Sequence, residues 1–454
     1  MSRSTATTVP LVERADDALL FRNAKEDFTT KRLLRDVSSL AGDLPDAGYI
    51  CNLCHDRYCF TVTLLASVLR GAINLLSSDR SPGALASLAR RFDRVISVSE
   101  AVMRDSPLQQ YVISLPDTPD HGAAPNVEVP IDRPAAIVFT SGSTGEPVGF
   151  HKSWGALAMR SRVAGARFGM TAARPAGVIG TVPPQHMYGF ETTVLLPLHT
   201  QVASWCGPAF YPRDVADALQ SMAAPRLLIT TPLQIRSLLE AEIVWPPLDC
   251  VISATAPLPA DVAAAAERRW RTRVLEIYGA TEVGSIASRR TVEGPFWTTY
   301  DQISLVREPG TERVLVEAPH AEVHPLADLV ELRSSTEFAL LGRGSDIVKL
   351  GGRRASLAGL NAILTSLPGV QDGVFVIPDD LDRRTNARLI AFVVAPTSTP
   401  EVLLAELRRR IEPVFLPRRM ICVESLPRND AGKLPRAAVS ALIDRSEPMG
   451  EPGR

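Results

Sequence analysis

The sequence predicts an α/β protein built from more than one domain, and three observations support this fold class. The chain has 454 residues, which is too long for one ordinary hydrophobic core. From Tyr49 onwards, strand-like apolar runs alternate with helix-like stretches. Such alternation is typical of a parallel sheet covered by helices on both faces. Beyond Leu357 the pattern changes to a smaller α+β unit.

The alternation begins after about 45 polar and mixed residues, for which we expect short helices and a loose terminus. Ser81 followed by Pro82 is a strong helix start, because serine caps a first turn and proline suits the first helical position. A loop rich in Pro, Asp and Gly is expected over residues 113–130. The predicted strands here are Tyr49–Leu53, Ala72–Leu76, Arg94–Val98 and Ala135–Phe139, and the predicted helices are Asp56–Arg70 and Pro82–Arg91.

The same pattern continues through the second half of the chain. Its predicted strands are Gly177–Val182, Arg226–Thr230, Cys250–Ser253 and Val314–Glu317, and its predicted helices are Trp154–Gly165, Leu233–Ala241 and Asp261–Arg271. In the small unit the predicted helices are Leu360–Ser366 and Pro400–Ile411, and the predicted strands are Gly373–Ile377 and Leu389–Val394.

The composition is that of a soluble globular protein, with 45% hydrophobic residues, 22% charged residues and a net charge of −1. This balance gives no indication of nucleic acid as the main partner. No apolar run reaches the length of a membrane span, and the first residues contain no apolar segment after their arginine. We therefore expect a cytoplasmic protein.

The six cysteines raise the question of a metal site. Cys51, Cys54 and His55 lie close together in the chain, but a second Cys/His pair at suitable spacing is missing. Cys51 and Leu53 lie in an apolar run. We therefore expect buried free thiols there and no structural zinc.

A loop of small polar residues is the strongest candidate for a binding site. The apolar run Ala135–Phe139 stops at six residues that are all Gly, Ser or Thr. Glycine permits backbone conformations in which successive N–H groups point toward one anion, and four hydroxyls add further donors. Phosphate is the ligand that such a loop suits, although a polar hairpin is the alternative. The loop is not a Walker motif, because no Gly-Lys-Ser/Thr follows.

With four further motifs in order, this loop resembles that of the adenylate-forming superfamily, which includes acyl-CoA synthetases, aryl acid ligases, luciferases and peptide-synthetase adenylation domains. The loop matches over Phe139–Gly149, with Val148 where the family has lysine. The other matching motifs are Ser253–Leu258, Ile277–Gly284, Phe338–Arg354 and Leu426–Lys433. The resemblance implies a large ATP- and acid-binding domain of layered α/β subdomains, residues 1–342, and a small mobile α+β lid domain, residues 343–454. It also implies ATP and Mg²⁺ as cofactors.

The resemblance also assigns roles to individual residues. Lys433 would bridge the substrate carboxylate and the α-phosphate, Thr281 would bind the α-phosphate, and Glu282 would bind Mg²⁺, which prefers oxygen ligands. ATP and AMP would be held by Thr140, Ser141, Gly142, Ser143, Thr144, Gly145, Ala254, Thr255, Ala256, Tyr278, Gly279, Asp328, Arg343 and Lys349. The acid pocket would be lined by His186, Tyr188, Ile277, Ala280 and Ser285, and Ser345 would be the hinge. A histidine such as His186 is more often structural, but this one directly follows a strand end, where open α/β sheets bind ligands.

Several residues depart from the family pattern. Ala254 and Thr255 replace two glycines, Asp328 alone survives from its motif, and Ser345 replaces a charged hinge residue. A degenerate homologue that binds nucleotide without catalysis is therefore an alternative. The residues at the catalytic positions keep the chemical types of the family, which argues against this alternative. Because Val148 replaces the loop lysine, we consider Lys152, one of only five lysines, as a substitute that reaches the γ-phosphate.

The acid and its acceptor are predicted from more general features. No aspartate lies between Pro183 and Phe190 to hold an ammonium group, which argues against an α-amino acid. The short chain resembles stand-alone ligases that activate hydroxybenzoates for aryl polyene pigments, which implies an aromatic acid and transfer to an acyl carrier protein. Residues 343–454 carry 17 Lys plus Arg against 13 Asp plus Glu, a net charge of +4, with Arg408, Arg409, Arg410, Arg418 and Arg419 close together. These arginines suit an acidic carrier protein, the phosphates of CoA, or simply a solvated helix end.

Overall fold

The computed structural model describes residues 7–77, 79–115, 124–140, 148–170, 175–207, 209–311, 313–343, 347–350, 353–377 and 389–428, together with 434, 438 and 441–443. The strands are β1 (Thr8–Pro10), β2 (Leu19–Arg22), β3 (Asp27–Thr29), β4 (Tyr49–Asn52), β5 (Ile73–Leu76), β6 (Val95–Ser99), β7 (Gln109–Val112), β8 (Glu128–Pro130), β9 (Pro134–Thr140), β10 (Val148–Ser153), β11 (Ala176–Gly180), β12 (Val202–Trp205), β13 (Arg226–Thr230), β14 (Cys250–Ser253), β15 (Arg273–Ala280), β16 (Gly284–Arg290), β17 (Phe296–Thr299), β18 (Ser304–Arg307), β19 (Val314–Ala318), β20 (Ala321–Pro325), β21 (Asp328–Leu332), β22 (Glu337–Arg343), β23 (Ile347–Leu350), β24 (Arg353–Ser356), β25 (Asp372–Val376), β26 (Ile390–Val394) and β27 (Arg419–Cys422).

The helices are α1 (Thr30–Asp43), α2 (Arg57–Arg70), α3 (Pro82–Arg91), α4 (Trp154–Arg167), α5 (Met187–Gly189), α6 (Leu196–His199), α7 (Pro212–Ser221), α8 (Pro232–Glu240), α9 (Ala260–Trp270), α10 (Leu357–Thr365) and α11 (Pro400–Leu407). A π-helix spans Phe190–Leu195, and 3₁₀ turns span Thr291–Glu293 and Pro413–Phe415. Local sequence explains several helix starts. The side chains of Asp56, Ser81 and Ser153 accept hydrogen bonds from the first turns of α2, α3 and α4.

The first large sheet has six strands in the order β10-β9-β5-β4-β6-β7. All of its neighbouring pairs are parallel except β10 and β9, which are antiparallel. Helix α2 packs on this sheet and is buried along most of its length. The predicted parallel sheet is therefore confirmed here, with an antiparallel strand added at its edge.

The second large sheet has eleven strands in the order β21-β22-β17-β16-β15-β14-β13-β11-β12-β2-β3. The strands from β2 to β15 in this order are parallel, and antiparallel strands extend the sheet at both sides. The parallel strands β11, β13, β14 and β15 end at Gly180, Thr230, Ser253 and Ala280. The candidate site segments follow directly after three of these strands, so their carboxyl ends bring the segments to one edge.

The amino-terminal region is different from the predicted run of short helices. It forms the strands β1, β2 and β3 before helix α1. Leu20 and Phe21 of β2 are completely buried, and β2 pairs in parallel with β12. The apolar run at positions 19–21 gains more by burial at the edge of the large sheet than it would in a solvated helix.

The carboxyl-terminal unit has the predicted α+β character. Strand β25 pairs antiparallel with β26, which pairs in parallel with β27. Helices α10 and α11 pack against this sheet and share its core, to which Leu364, Phe375 and Leu407 belong. Strands β23 and β24 form a separate antiparallel pair.

The structure also bears on the predictions about free thiols, a metal site and a membrane span. Cys51 and Cys54 are fully buried free thiols, as predicted, whereas Cys422 is exposed. Within the described ranges, no group of three or more potential ligands is placed to hold a metal ion. None of the helices in these ranges is long and apolar enough to cross a membrane.

Candidate active site

Two of the predicted nucleotide-binding residues are joined directly. The Tyr278 hydroxyl donates a hydrogen bond of 2.7 Å to Oδ2 of Asp328. The ring of Tyr278 packs against the rings of Trp297 and Phe338, with centroids 5.7 and 5.6 Å away. The backbone register places Arg343 opposite Asp328 in the β21–β22 pair. The structure therefore groups Tyr278, Asp328 and the backbone of Arg343 although they are far apart in the sequence.

The segment after β14 carries the residues that replace the two family glycines. Ala254 is buried, and Thr255 adopts φ +79°, a conformation that favours glycine. The hydroxyls of Ser253 and Thr255 are buried and have no hydrogen-bond partner among the described residues. Thr255 therefore keeps a backbone conformation suited to the replaced glycine, while its side chain fills part of the space beside the strand end.

The predicted catalytic residues Thr281 and Glu282 lie in the tight turn between β15 and β16. Both side chains are partly buried. The turn needs glycine at Gly284, whose φ is +99°. An added Cβ there would lie 1.3 Å from Nη1 of Arg160. Among the described residues, none donates a hydrogen bond to the Glu282 carboxylate, which leaves its oxygens available to a cation.

A cluster of buried charged side chains lies against the backbone of this turn. Nζ of Lys152 donates to the carbonyl oxygen of Glu282, and Nη1 of Arg160 donates to that of Val283. Nη2 of Arg160 donates to the carboxylate of Glu191. Burial, followed by the nearby positive charge of Arg160, lowers the pKa of Lys152 to about 8.

Two more polar side chains complete this cluster. The hydroxyl of Ser285 donates to Oε2 of Glu191 at 2.7 Å. The imidazole of His320 is buried, and burial, followed by the charges of Arg160 and Lys152, lowers its pKa to about 3. His320 is therefore neutral at physiological pH. Ser285, predicted as a wall of the acid pocket, directs its hydroxyl to Glu191.

The other predicted acid-pocket residues lie around the ends of β11 and β15. His186 is the N-cap residue of α5 and is partly buried. The Tyr188 hydroxyl donates to the carbonyl oxygens of Ile252 and Thr230, at 2.8 and 3.3 Å, and burial raises its pKa. Ile277 is buried in the core beside Tyr278, and Ala280 packs against the same core. The hydroxyl of Tyr188 is therefore bound to the carboxyl ends of two strands, and only its ring is left to line an acid pocket.

Several predicted residues lie wholly or partly outside the description. Ser141, Gly142, Ser143, Thr144, Gly145, Ser345 and Lys433 lie outside the described residues. Thr140, Arg343 and Lys349 are described by their backbones in β9, β22 and β23. Thr140 pairs with Val148 across β9 and β10, so the small polar loop connects two antiparallel strands.

Sequence reasoning missed Arg160 and Glu191 and misjudged the place of Lys152. Glu191 lies in the π-helix Phe190–Leu195, a form that occurs frequently at functional sites. A single acid between Phe190 and the apolar residues 194–198 was the available signal, because such an acid must be paired if it is buried. Lys152, considered as a free cation for the γ-phosphate, is instead buried against Glu282.

Comparison with known proteins identifies related sequences. Residues 44–325 match the model of the family described as AMP-binding enzyme, and residues 360–433 match that of the AMP-binding enzyme C-terminal domain. A 4-coumarate–CoA ligase from Rhodobacter capsulatus is 31% identical over 278 residues, which cover 61% of this chain and 67% of that protein.

Solved structures share the fold. The crystal structure of an anthranilate CoA ligase in complex with anthranoyl-AMP superposes with a TM-score of 0.77 at 16% identity, over 94% of each chain. An O-succinylbenzoate coenzyme A synthetase from Bacillus subtilis, in complex with ATP and magnesium ion, gives a TM-score of 0.78 at 17% identity, over 95% of this chain and 99% of that one. The fold is thus that of adenylate-forming enzymes, with a large amino-terminal α/β domain and a small carboxyl-terminal domain.

These findings define the class of the protein as AMP-forming ligases that join an acid to a thiol. The chain belongs to the AMP-binding enzyme family. The predicted boundary between residues 342 and 343 falls between the two matched ranges.

Proposed function

We propose that the protein activates an aromatic carboxylic acid with ATP and transfers the acyl group to the thiol of CoA. The observation that supports this proposal most directly is the grouping of Tyr278 and Asp328 at the edge of the sheet to which the Thr281–Glu282 turn also belongs. An aromatic ring, a carboxylate suited to a ribose diol, a hydroxyl and a second carboxylate are the groups that recognition of a nucleotide and its metal requires.

In the first step, a carboxylate oxygen of the acid attacks the α-phosphorus of ATP. The bond between this phosphorus and the bridging oxygen breaks, and pyrophosphate leaves with the electron pair. Thr281 donates its hydroxyl to an α-phosphate oxygen, and Lys433 reduces the repulsion between the two approaching anions. Such a step depends mostly on positioning and on charge stabilisation.

Glu282 fits the role of a magnesium ligand. Its carboxylate is partly exposed in a turn, and no described residue donates a hydrogen bond to it. Magnesium commonly binds one or two protein carboxylates together with substrate phosphates, so a cluster of several acids is not required. When bound, the ion would neutralise charge on the phosphates as pyrophosphate leaves.

In the second step, the thiolate of the acceptor attacks the carbonyl carbon of the acyl-adenylate. The bond from this carbon to the phosphate oxygen breaks, and AMP leaves. The resemblance assigns a rotation of the small domain about Ser345 to the interval between the two steps, which withdraws Lys433.

The proposal of an aromatic acid is supported by the site and by the relatives. Glu191, the first acid after the segment Pro183–Phe190, accepts hydrogen bonds from Arg160 and Ser285 and is not available to an ammonium group. Tyr188 and Ile277 provide apolar surface near the strand ends. The related ligases act, by name, on 4-coumarate, anthranilate and succinylbenzoate. Hydroxybenzoates belong to the same chemical class.

CoA is the preferred acceptor because these related proteins are named as CoA ligases. An acyl carrier protein is the second candidate, and an exposed basic surface favours it. Arg408, Arg409, Arg410 and Arg418 are all exposed. Arg409 and Arg410 lie 2.8 and 3.9 Å from Glu406, so this acid offsets part of their charge. The remaining positive charge suits either an acidic protein or the phosphates of CoA.

The proposal is tested with a panel of acids and two acceptors. Purified protein is incubated with ATP, Mg²⁺ and 4-coumarate, 3- or 4-hydroxybenzoate, anthranilate or palmitate, and thioesters on CoA or on a holo carrier protein are measured by mass spectrometry. We expect aryl-CoA to form and palmitoyl-CoA to be a minor product. Palmitate as the best substrate would overturn the aromatic acid. Transfer to the carrier protein alone, impaired by Arg409→Glu with Arg418→Glu, would establish the second candidate instead.

A further inference from the structure

The turn that carries Thr281 and Glu282 is contacted by two buried cations, one from a strand and one from a helix. Lys152 lies at the end of β10 and is 9% exposed, and Arg160 lies on α4 and is 3% exposed. Each donates a hydrogen bond to one of two successive backbone carbonyls of the turn, those of Glu282 and Val283. Two neighbouring peptide groups are therefore fixed by side chains more than 120 residues away in the sequence.

Arg160 also lies close to the backbone of the turn at Gly284. The guanidinium of Arg160 occupies the space where any side chain at Gly284 would lie, since an added Cβ would be 1.3 Å from Nη1. Glu191, which is 1% exposed, neutralises Arg160 and also accepts from Ser285, the residue after Gly284. The two cations thus bind backbone carbonyls of the turn, and Glu191 binds Ser285 in the strand that follows it.

Such an arrangement is costly for fold stability alone. Burying two cations and one carboxylate requires the loss of their hydration, and apolar residues of similar volume often give equal or greater stability. Among the described residues, Lys152 forms no ion pair within 4 Å, and it donates its hydrogen bond to a backbone carbonyl. Its burial at this place has a clear benefit only if the orientation of the turn matters.

We propose that Lys152 and Arg160 are positioning residues, which fix the Thr281–Glu282 turn in the orientation that binding of the α-phosphate and its metal requires. This inference rests on the proposed function. Neither cation touches the reacting atoms in this assignment. Lys152 acts through the peptide group of Glu282, and Arg160 acts through that of Val283.

The test compares Lys152→Met, which removes both the charge and the donor, with Lys152→Arg, which keeps both. Lys152→Gln is a second uncharged variant in case the methionine variant does not fold. Lys31→Met, a substitution of an exposed lysine on α1, is the matched control. For each protein, calorimetry measures the Mg²⁺ concentration needed for half-maximal ATP affinity, and two half-reactions are assayed separately. These are acid-dependent pyrophosphate release and thioester formation from a synthetic aryl-adenylate.

We expect Lys152→Met to require about 10- to 100-fold more Mg²⁺ and to release pyrophosphate about 10- to 100-fold more slowly. Losses of this size are typical when a residue that holds a metal ligand in place is replaced. Thioester formation from the adenylate should stay within about twofold, since no pyrophosphate leaves in this step and the metal that Glu282 would hold is then no longer needed. Lys152→Arg should recover most of both losses, and Lys31→Met should behave as the parent protein.

An unchanged Mg²⁺ requirement in Lys152→Met and Lys152→Gln would overturn the inference. An equal loss of both half-reactions would also overturn it, because it would indicate a role in the fold alone. Failure of the proposed function looks different: the parent protein would then release no pyrophosphate with any acid, while the Mg²⁺ dependence of ATP binding would still separate the lysine variants.

Discussion

Replacement of Gly284 by alanine tests the packing of Arg160 against the turn. The added Cβ would lie 1.3 Å from Nη1 and 1.6 Å from Cζ of Arg160, so the guanidinium must move. Moving it breaks its hydrogen bonds with Val283 and Glu191 and leaves a buried carboxylate without its cation. Loss of one partner of a buried pair costs about 3–5 kcal/mol. The backbone strain of a non-glycine residue at φ +99° adds about 1–3 kcal/mol.

Two further glycines separate the strain from the clash. Gly169 and Gly294 have φ +66° and +135°, which bracket that of Gly284, and no atom of the described residues lies within 4 Å of an added Cβ at either position. Gly169→Ala and Gly294→Ala should therefore lose about 1–3 kcal/mol from strain alone. The free energy of unfolding of Gly284→Ala should fall by about 3–5 kcal/mol more than in these controls.

Urea denaturation followed by tryptophan fluorescence measures this difference. All five tryptophans lie before residue 343, in the same part of the chain as Gly284, so the fluorescence reports the unfolding of that part. Combining Gly284→Ala with Arg160→Met and Glu191→Gln should restore part of the loss, since the Cβ then meets no guanidinium and no buried carboxylate is left alone. A loss in Gly284→Ala equal to that of the two control glycine variants would refute the account of this cluster.

Three more predictions concern nucleotide binding, pH and catalysis. Tyr278→Phe removes the donor to Asp328, a hydrogen bond to a charged group worth about 1.5–3 kcal/mol, and should weaken ATP binding in calorimetry by about 10- to 100-fold; unchanged affinity would contradict the role of this pair. Burial opposes ionisation of Glu13, but its contacts with His199 and Arg162 outweigh burial and lower its pKa to about 2, so its stabilising effect is present above pH 4.5 and is lost as the pH falls toward 2. Glu13→Gln should therefore lower the melting temperature at pH 7 and make it fall less steeply as the pH is lowered. If the melting temperature of the variant falls with pH as steeply as that of the parent protein, Glu13 is not a source of the acid sensitivity. Lys433→Ala should lower pyrophosphate release by about 10²- to 10³-fold while thioester formation from synthetic adenylate is retained; full pyrophosphate release would remove the proposed step.

Local sequence signals were sufficient for much of the fold. Strands β13 and β14 were predicted with the observed bounds, Arg226–Thr230 and Cys250–Ser253, because each is a short apolar run followed by turn residues. The start of α3 was predicted because Ser81 and Pro82 act within one helical turn. These features depend on neighbours in the chain, and the sequence contains them in full.

Features that depend on distant partners were missed. Strand β2 is stabilised by pairing with β12, whose partner residues lie more than 180 positions later, and the four residues of β2 do not contain that information. In the candidate site, Tyr278 and Glu282 were predicted together because they share one short motif. Lys152 and Arg160 were not placed, because their contacts with the turn join residues that lie more than 120 positions apart in the sequence.

The central claim is that this site converts a carboxylic acid to an acyl-adenylate, and exchange of labelled pyrophosphate into ATP measures that reversible step directly. The account predicts exchange that requires both Mg²⁺ and an aromatic acid, and a loss of about 10²- to 10³-fold in Glu282→Gln, which keeps the size of the side chain but removes its charge. Absence of exchange with every acid of the panel, in a protein that binds ATP, would contradict the claim and favour a homologue that binds nucleotide without catalysis.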